Sequence, residues 1–363
     1  MATSPHIRPD LQDVPSYRAG RRAAVDQPGR TYSLASNETI YGPLPGVAEA
    51  AATELEQPHR YPDAGVTALV QALADRCNVG PDWIATGTGS VAICQQAIVA
   101  TCNPGDEVVF AWRSFEAYPI ITKLGGAQAV PVPLRPDGTH DLSAMAAAIT
   151  DRTRVVFLCS PNNPTGPIIA SAQLDEFLES VPASVLVVLD EAYYEFALAS
   201  VADPAELPDG VQLARERINV MALRTFSKAY GLAGLRVGYA VANPALTQAL
   251  RKAALPFGVS AVAQATALAS LQQEQEMRAR VSETVRERDR VVEVVKAAGW
   301  EIPMPYGNYY WLGLGEQALD FAASCEAAGV TVRAFPGEGV RVSIGEGAAN
   351  DRVLTVLARD FSR

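Results

Sequence analysis

Residues 218–228 read Ile-Asn-Val-Met-Ala-Leu-Arg-Thr-Phe-Ser-Lys, and residues 235–242 follow as Leu-Arg-Val-Gly-Tyr-Ala-Val-Ala. The run Ile218–Leu223 is largely apolar without clean alternation. A strand with one wet face alternates apolar and polar side chains; a strand covered on both faces does not. Glu107–Trp112, Ala127–Leu134, Arg154–Cys159, Ser184–Leu189 and Leu235–Ala242 share this character, and Trp83–Thr86 is a shorter strand of the same kind. Helical stretches fit between most of them. The pattern predicts an α/β fold whose main sheet is mostly parallel, with helices on both faces.

Working outward, Ala48–Gln57 and Val66–Cys77 read as short helices, and a third opens at Val91. Gln272–Ala298 reads as one long amphipathic helix: Met277, Val281, Val285, Val292 and Val295 form a stripe, the charges between them a solvated face, and Gly299 a stop. Beyond it Tyr309–Leu314, Val330–Phe335 and Val340–Ile344 are short strands of a second, smaller α/β unit. Residues 1–35 mix Pro, Gly and Arg and read as an irregular arm. The expected division is an arm at 1–44 that packs with the small domain, a large domain at 45–255 and the small domain at 256–363.

Composition removes several classes of function. The 363 residues carry a formal net charge of −10, and the sequence pI is about 5.0. This balance argues against nucleic-acid binding and fits a soluble cytoplasmic protein. Five cysteines without a C-x-x-C pair read as buried free thiols, and three scattered histidines give a metal little to bind. The first residues lack the apolar stretch of a secretory signal, and no apolar run is long enough to span a membrane.

Chemistry gathers at strand ends. Gly87-Thr88-Gly89-Ser90-Val91-Ala92 follows a strand and opens a helix, a place where backbone N–H groups bind phosphate. It also fits a loose dinucleotide pattern, G-x-G-x-x-A. However, no acidic residue closes the next strand about 20 residues on, as a dinucleotide site requires. Asp190 follows an apolar run, where it can face a cationic ring nitrogen or cap a helix. Ser160-Pro161-Asn162-Asn163-Pro164-Thr165-Gly166 offers an amide to a ligand or is an ordinary turn. Thr225-Phe226-Ser227-Lys228 puts two hydroxyls and an amine after a strand, with Arg236 eight residues further. A lysine in a partly buried site can lose its proton and act as a nucleophile.

In order, the glycine-rich turn, Phe115, N-P-T-G, D-E-A-Y, T-F-S-K and G-L-A-G-L-R resemble the fold-type I aminotransferases, in the histidinol-phosphate aminotransferase-like branch. The likeness runs from Asn37-Glu38 to Arg341. The stretch Trp112-Arg113-Ser114-Phe115-Glu116-Ala117-Tyr118-Pro119-Ile120 resembles in particular the actinobacterial aromatic (phenylalanine) aminotransferases. The resemblance implies pyridoxal 5′-phosphate as cofactor. It implies that Lys228 bonds the cofactor and serves as acid and base in the proton shift, and that Asp190 pairs with the ring nitrogen. Tyr193 and Asn163 would hold the ring oxygen and Phe115 would stack on the ring. Gly89, Ser90, Val91, Thr225, Ser227 and Arg236 would cradle the phosphate. Val91 stands where many relatives carry an acidic residue, a change that a backbone contact tolerates. Arg341 would grip the substrate carboxylate, with Arg333, Asn37 and Tyr17 as further substrate contacts. Tyr61 would reach the partner subunit's cofactor in a homodimer.

The implied reaction moves an amino group between aromatic L-amino acids and 2-oxo acids by a ping-pong route. Histidinol-phosphate transamination is the alternative, because both share every cofactor residue. Arg333 would meet the phosphate of that substrate, or else the second carboxylate of a keto acid. Tyr17, Tyr41, Trp112, Phe115 and Tyr118 are expected to line the substrate pocket, with core packing the alternative, for Trp112 and Tyr118 above all. A nicotinamide oxidoreductase, a ligand-binding transcription regulator and a lyase or decarboxylase are the readings outside this class.

Overall fold

The apolar runs become strands because each has a helix layer on either side. The computed structural model describes residues 31–361, together with Ile7, Arg8, Leu11, Val14, Ser16 and Gly20. In chain order the strands are β1 (Tyr32–Leu34), β2 (Ile84–Gly87), β3 (Glu107–Trp112), β4 (Gln128–Pro133), β5 (Thr153–Cys159) and β6 (Leu186–Asp190). They continue as β7 (Val220–Thr225), β8 (Gly238–Val241), β9 (Tyr309–Leu312), β10 (Val330–Phe335) and β11 (Gly339–Ser343). A seven-stranded sheet has the order β2-β8-β7-β6-β5-β3-β4, and all its pairs are parallel except those of β8 with β2 and β7. The alternate residues of one strand enter different cores. Val108, Phe110, Val155, Phe157 and Val188 pack on one face, while Val109, Ala111, Val156, Leu158 and Leu189 pack on the other. Two-sided burial is why these strands lack alternation.

Two boundaries shift in ways that matter for the chemistry. The sixth strand ends on Asp190 itself and the seventh on Thr225, so the backbone of both residues is fixed by sheet pairing rather than by a following loop. The parallel strands β3, β5, β6 and β7 all end along one edge of the sheet. The antiparallel strand β8 starts at that edge, with Gly238 opposite both Thr225 and Gly87. A side chain at Gly238 would put its Cβ 2.7 Å from the amide nitrogen of Ser90. The glycine therefore allows the phosphate-type turn to sit directly against the strand.

The second sheet has the order β1-β10-β11-β9. Its first strand corrects the reading of residues 1–35 as wholly irregular: Tyr32–Leu34 pairs in parallel with Val330–Val332. Leu34 is buried in a separate core with Val291, Tyr310, Val340 and Val353. The long helix spans Glu274–Ala297, and its outer face carries Glu274–Arg278 and Glu276–Arg280 pairs one turn apart. Not every charge on it is solvated. Arg288 is buried and donates to the carbonyl of Gly307 and to Ser200 Oγ. The cysteines Cys77, Cys94, Cys159 and Cys325 are buried and Cys102 is half-buried, all as free thiols. Among the described residues no helix is long and apolar enough to cross a membrane.

The first strand carries its core weight through Leu34. Leu34→Ala should lower stability by about 2–4 kcal/mol, since it deletes three buried carbons and leaves a void. Urea unfolding measures this, and an unchanged midpoint would mean that the strand is not integral to the small sheet.

Candidate active site

Strand ends supply most of the walls of one cavity of about 220 Å³ at the C-terminal edge of the large sheet. Ser90 and Val91 open the helix that follows β2, and Ser114, Phe115 and Glu116 follow β3. Asn163 follows β5, Asp190 and Tyr193 belong to β6 and its turn, and Thr225, Ser227 and Lys228 to the end of β7. The small sheet adds Arg333 and Phe335 from β10 and Arg341 from β11. Residues far apart in sequence thus meet because the topology places parallel strand ends side by side.

Asp190 is buried. Its carboxylate accepts from Tyr118 Oη at 2.8 Å and from the Ala192 amide at 3.2 Å. Burial pushes its pKa up to about 6, against the pull of those two donors and of Lys228. Lys228 faces it across the cavity, with Nζ donating to the carbonyls of Ser36 at 3.1 Å and Asn37 at 3.3 Å. Burial, with the nearby charges of Arg341 and Arg236, brings the amine down from 10.5 to about 7. Such an amine is substantially unprotonated near neutral pH, and so nucleophilic.

One end of the cavity is built for an anion. Gly89, with φ at +82°, precedes the helix Ser90–Thr101, whose N-terminus has no side-chain cap. A Cβ at Gly89 would lie 2.3 Å from a guanidinium nitrogen of Arg236, so glycine is required for that approach. Arg236 donates to Ser227 Oγ at 3.4 Å, and Thr225 and Ser227 hydroxyls are 3.0 Å apart. Helix N-terminus, two hydroxyls and a guanidinium converge there.

At the opposite side Arg341 donates to Asn163 Oδ1 and to the carbonyl of Ala35, each at 2.6 Å. Asn37 is fully buried behind this wall rather than part of it. Its amide nitrogen donates to Tyr193 Oη at 2.8 Å, its backbone N–H donates to Ser343 Oγ at 2.8 Å, and Ser343 Oγ in turn donates to Asn37 Oδ1. Tyr61 is elsewhere: it is 82% exposed and stacks on Phe257 with ring centroids 4.7 Å apart. Tyr17 lies outside the described residues. Three of the expected pocket aromatics, Tyr41, Trp112 and Tyr118, do not line the cavity. Tyr41 donates to Glu283 on the long helix, and Trp112 lies under the Arg113 guanidinium. Tyr118 is wholly buried, stacked on Phe157 at 4.5 Å, and reaches the site only through Asp190. Of the two expectations for Tyr118, pocket or core, the core one holds, and its bond to Asp190 has no mark in the sequence. Glu116, which pairs with Arg333, has no mark of its own either; its adjacency to Phe115 just beyond β3 was the available signal.

The family model described as aminotransferase class I and II matches residues 31–357. The chain belongs to the class I and II aminotransferases. It is 55% identical to an aromatic amino acid aminotransferase of Streptomyces avermitilis, over 98% of each chain. It is 56% identical to the protein of the same name from Streptomyces coelicolor, over 98% of this chain and 97% of that one. Among solved structures it resembles a histidinol-phosphate aminotransferase of Sinorhizobium meliloti in complex with pyridoxal-5′-phosphate, with a TM-score of 0.85, 26% identity and 98% of each chain covered.

The donor set of this aminotransferase fits pyridoxal 5′-phosphate. The anion cradle suits the phosphate, the buried Asp190 carboxylate suits a protonated ring nitrogen, and the Lys228 amine stands between them. In cofactor-free protein the reductive methylation rate of Lys228, followed by mass spectrometry, should level off above about pH 7, because the amine is protonated below that value and free above it. A rate still climbing toward the ordinary lysine value of 10.5 would contradict the assigned environment.

Proposed function

We propose that this chain is a pyridoxal 5′-phosphate-dependent aromatic amino acid aminotransferase, moving the amino group between phenylalanine or tyrosine and a 2-oxo acid by a ping-pong route. The observation that carries this reading is the convergence of Lys228, Asp190 and Arg341 on one cavity that also holds an anion cradle. When bound, the cofactor supplies an electron sink for the bonds broken at the amino acid's α-carbon.

The chain's own groups do the rest. Arg341 grips the substrate carboxylate and so turns the α-hydrogen toward Lys228. Lys228, with its lowered pKa, is the group placed to take that proton and to carry it in the 1,3-shift that the bound cofactor would make possible. Asp190 holds a proton at the ring nitrogen by charge pairing, and Tyr118 fixes the carboxylate for that task. Phe115 covers one ring face, Tyr193 and Asn163 serve the ring oxygen, and Gly89, Ser90, Val91, Thr225, Ser227 and Arg236 anchor the phosphate. Arg333, which lines the cavity with its guanidinium over the Phe335 ring, is assigned to the substrate's side chain.

The same reading divides the chain into a cofactor domain at about 45–255 and a small domain made of 1–44 and 256–363. It assembles two copies into a cytoplasmic homodimer in which Tyr61 reaches the partner's cofactor. The exposure of Tyr61, Leu255 and Phe257 side by side with a groove supports an apolar contact there. A fully active monomer in sedimentation would remove this part. Histidinol phosphate is the less favoured substrate: the relatives at 55% and 56% identity are named for aromatic amino acids, and the histidinol-phosphate enzyme is at 26%.

Two measurements on one preparation test the reading. Lys228→Ala, still folded by circular dichroism, should lose about 10³-fold or more in kcat with phenylalanine, because the proton carrier is gone. The wild type should show a higher kcat/KM for phenylalanine than for histidinol phosphate. The reverse order would make it a histidinol-phosphate enzyme, and full turnover without Lys228 would end the mechanism.

A further inference from the structure

Arg333 and Arg341 are directly opposed residues on neighbouring antiparallel strands, β10 and β11. Side chains at such positions leave the sheet on the same face, and like charges there repel. Both line the cavity. A binding site with two adjacent guanidinium groups suits a dianion. An aromatic amino acid has only one carboxylate to offer, so the second positive charge is a problem that the fold must solve.

Glu116 stands where the solution is needed. It sits at the rim of the same cavity, just before the helix Ala117–Leu124, and comes from the large-sheet side. Its two carboxylate oxygens accept from the same guanidinium nitrogen of Arg333, at 3.0 and 2.8 Å. Arg333 is only 13% exposed and Glu116 27%, so the pair is partly shielded from water. The guanidinium also lies over the Phe335 ring, 5.3 Å from its centroid, and Phe335 packs edge-on against Trp311. Neutralised in this way, the second arginine becomes part of a flat, uncharged wall.

We propose that Glu116 is a specificity-determining residue: it occupies Arg333, so a neutral aromatic side chain enters without electrostatic cost while an anionic side chain must first displace a carboxylate. The selectivity comes from placing a like charge against the unwanted substrate rather than from a better fit to the wanted one. This inference rests on the aminotransferase reading above and names the residue that sets its side-chain preference.

The test uses the cofactor-loaded enzyme and two unreactive acids: 3-phenylpropionate, which carries a ring, and glutarate, which carries a second carboxylate. Their dissociation constants are measured by calorimetry in the wild type, Glu116→Gln and Arg333→Gln. Removing the masking charge should improve glutarate binding relative to 3-phenylpropionate by about tenfold or more, and removing the arginine should shift the same ratio the other way. The kcat/KM ratio for glutamate over phenylalanine should follow both shifts. If Glu116→Gln does not fold, the Arg333→Gln ratio carries the test. A ratio that stays within about twofold of wild type in the folded variants overturns the role of Glu116 and leaves the aminotransferase reading standing. Failure of 3-phenylpropionate to bind the wild type overturns both.

Discussion

A carboxylate buried at the end of a parallel strand organises this molecule. Asp190 closes β6, where neighbouring strands exclude water, and burial alone makes its charge costly. Tyr118 and the Ala192 amide recover part of that cost, yet the pKa remains raised to about 6. Such a site gains by receiving a cationic partner. A protonated ring nitrogen facing Asp190 would restore the charge balance. The same attraction would orient a flat cofactor, with its phosphate toward Gly89 and Arg236 and its reactive carbon toward Lys228.

The second sheet completes the site. Arg341 enters from β11 and is tied to Asn163 of the large sheet's edge. Asn37, just beyond β1, joins Ser343, Tyr193 and Lys228 through hydrogen bonds. The groups assigned to ring contact and proton transfer, Tyr193 and Lys228, are therefore linked through one buried asparagine. The short strand β1 leads directly into Asn37 and the carbonyls that hold Lys228.

The large sheet was legible because two-sided burial leaves a signature in composition, unbroken Val, Ile and Leu, and because chemistry then falls at the strand ends. Asp190, Lys228, Asn163 and Thr225 could be picked out on that basis, and the order of motifs supplied the rest. What could not be read depends on contacts between distant segments. Tyr32–Leu34 is a strand only because it pairs with Val330–Val332, and nothing local marks it. Tyr118 meets Asp190 across 72 residues. Aromatic content says nothing of direction, so Tyr41 reads as a pocket residue and Trp112 as pocket or core, and neither lines the cavity. Arg288 was recoverable: it falls three residues after Val285 and four before Val292, on the buried stripe itself, where helical spacing outweighs its charge.

Asp190 is assigned to a protonated ring nitrogen, and one spectrum decides it. The enzyme is loaded with pyridoxal 5′-phosphate labelled with ¹⁵N in the ring, and the nitrogen shift is recorded above the pH at which the free ring loses its proton. The carboxylate should hold that proton in place, giving the shift of a protonated pyridine nitrogen. The shift of an unprotonated nitrogen under the same conditions would show that Asp190 plays no such part.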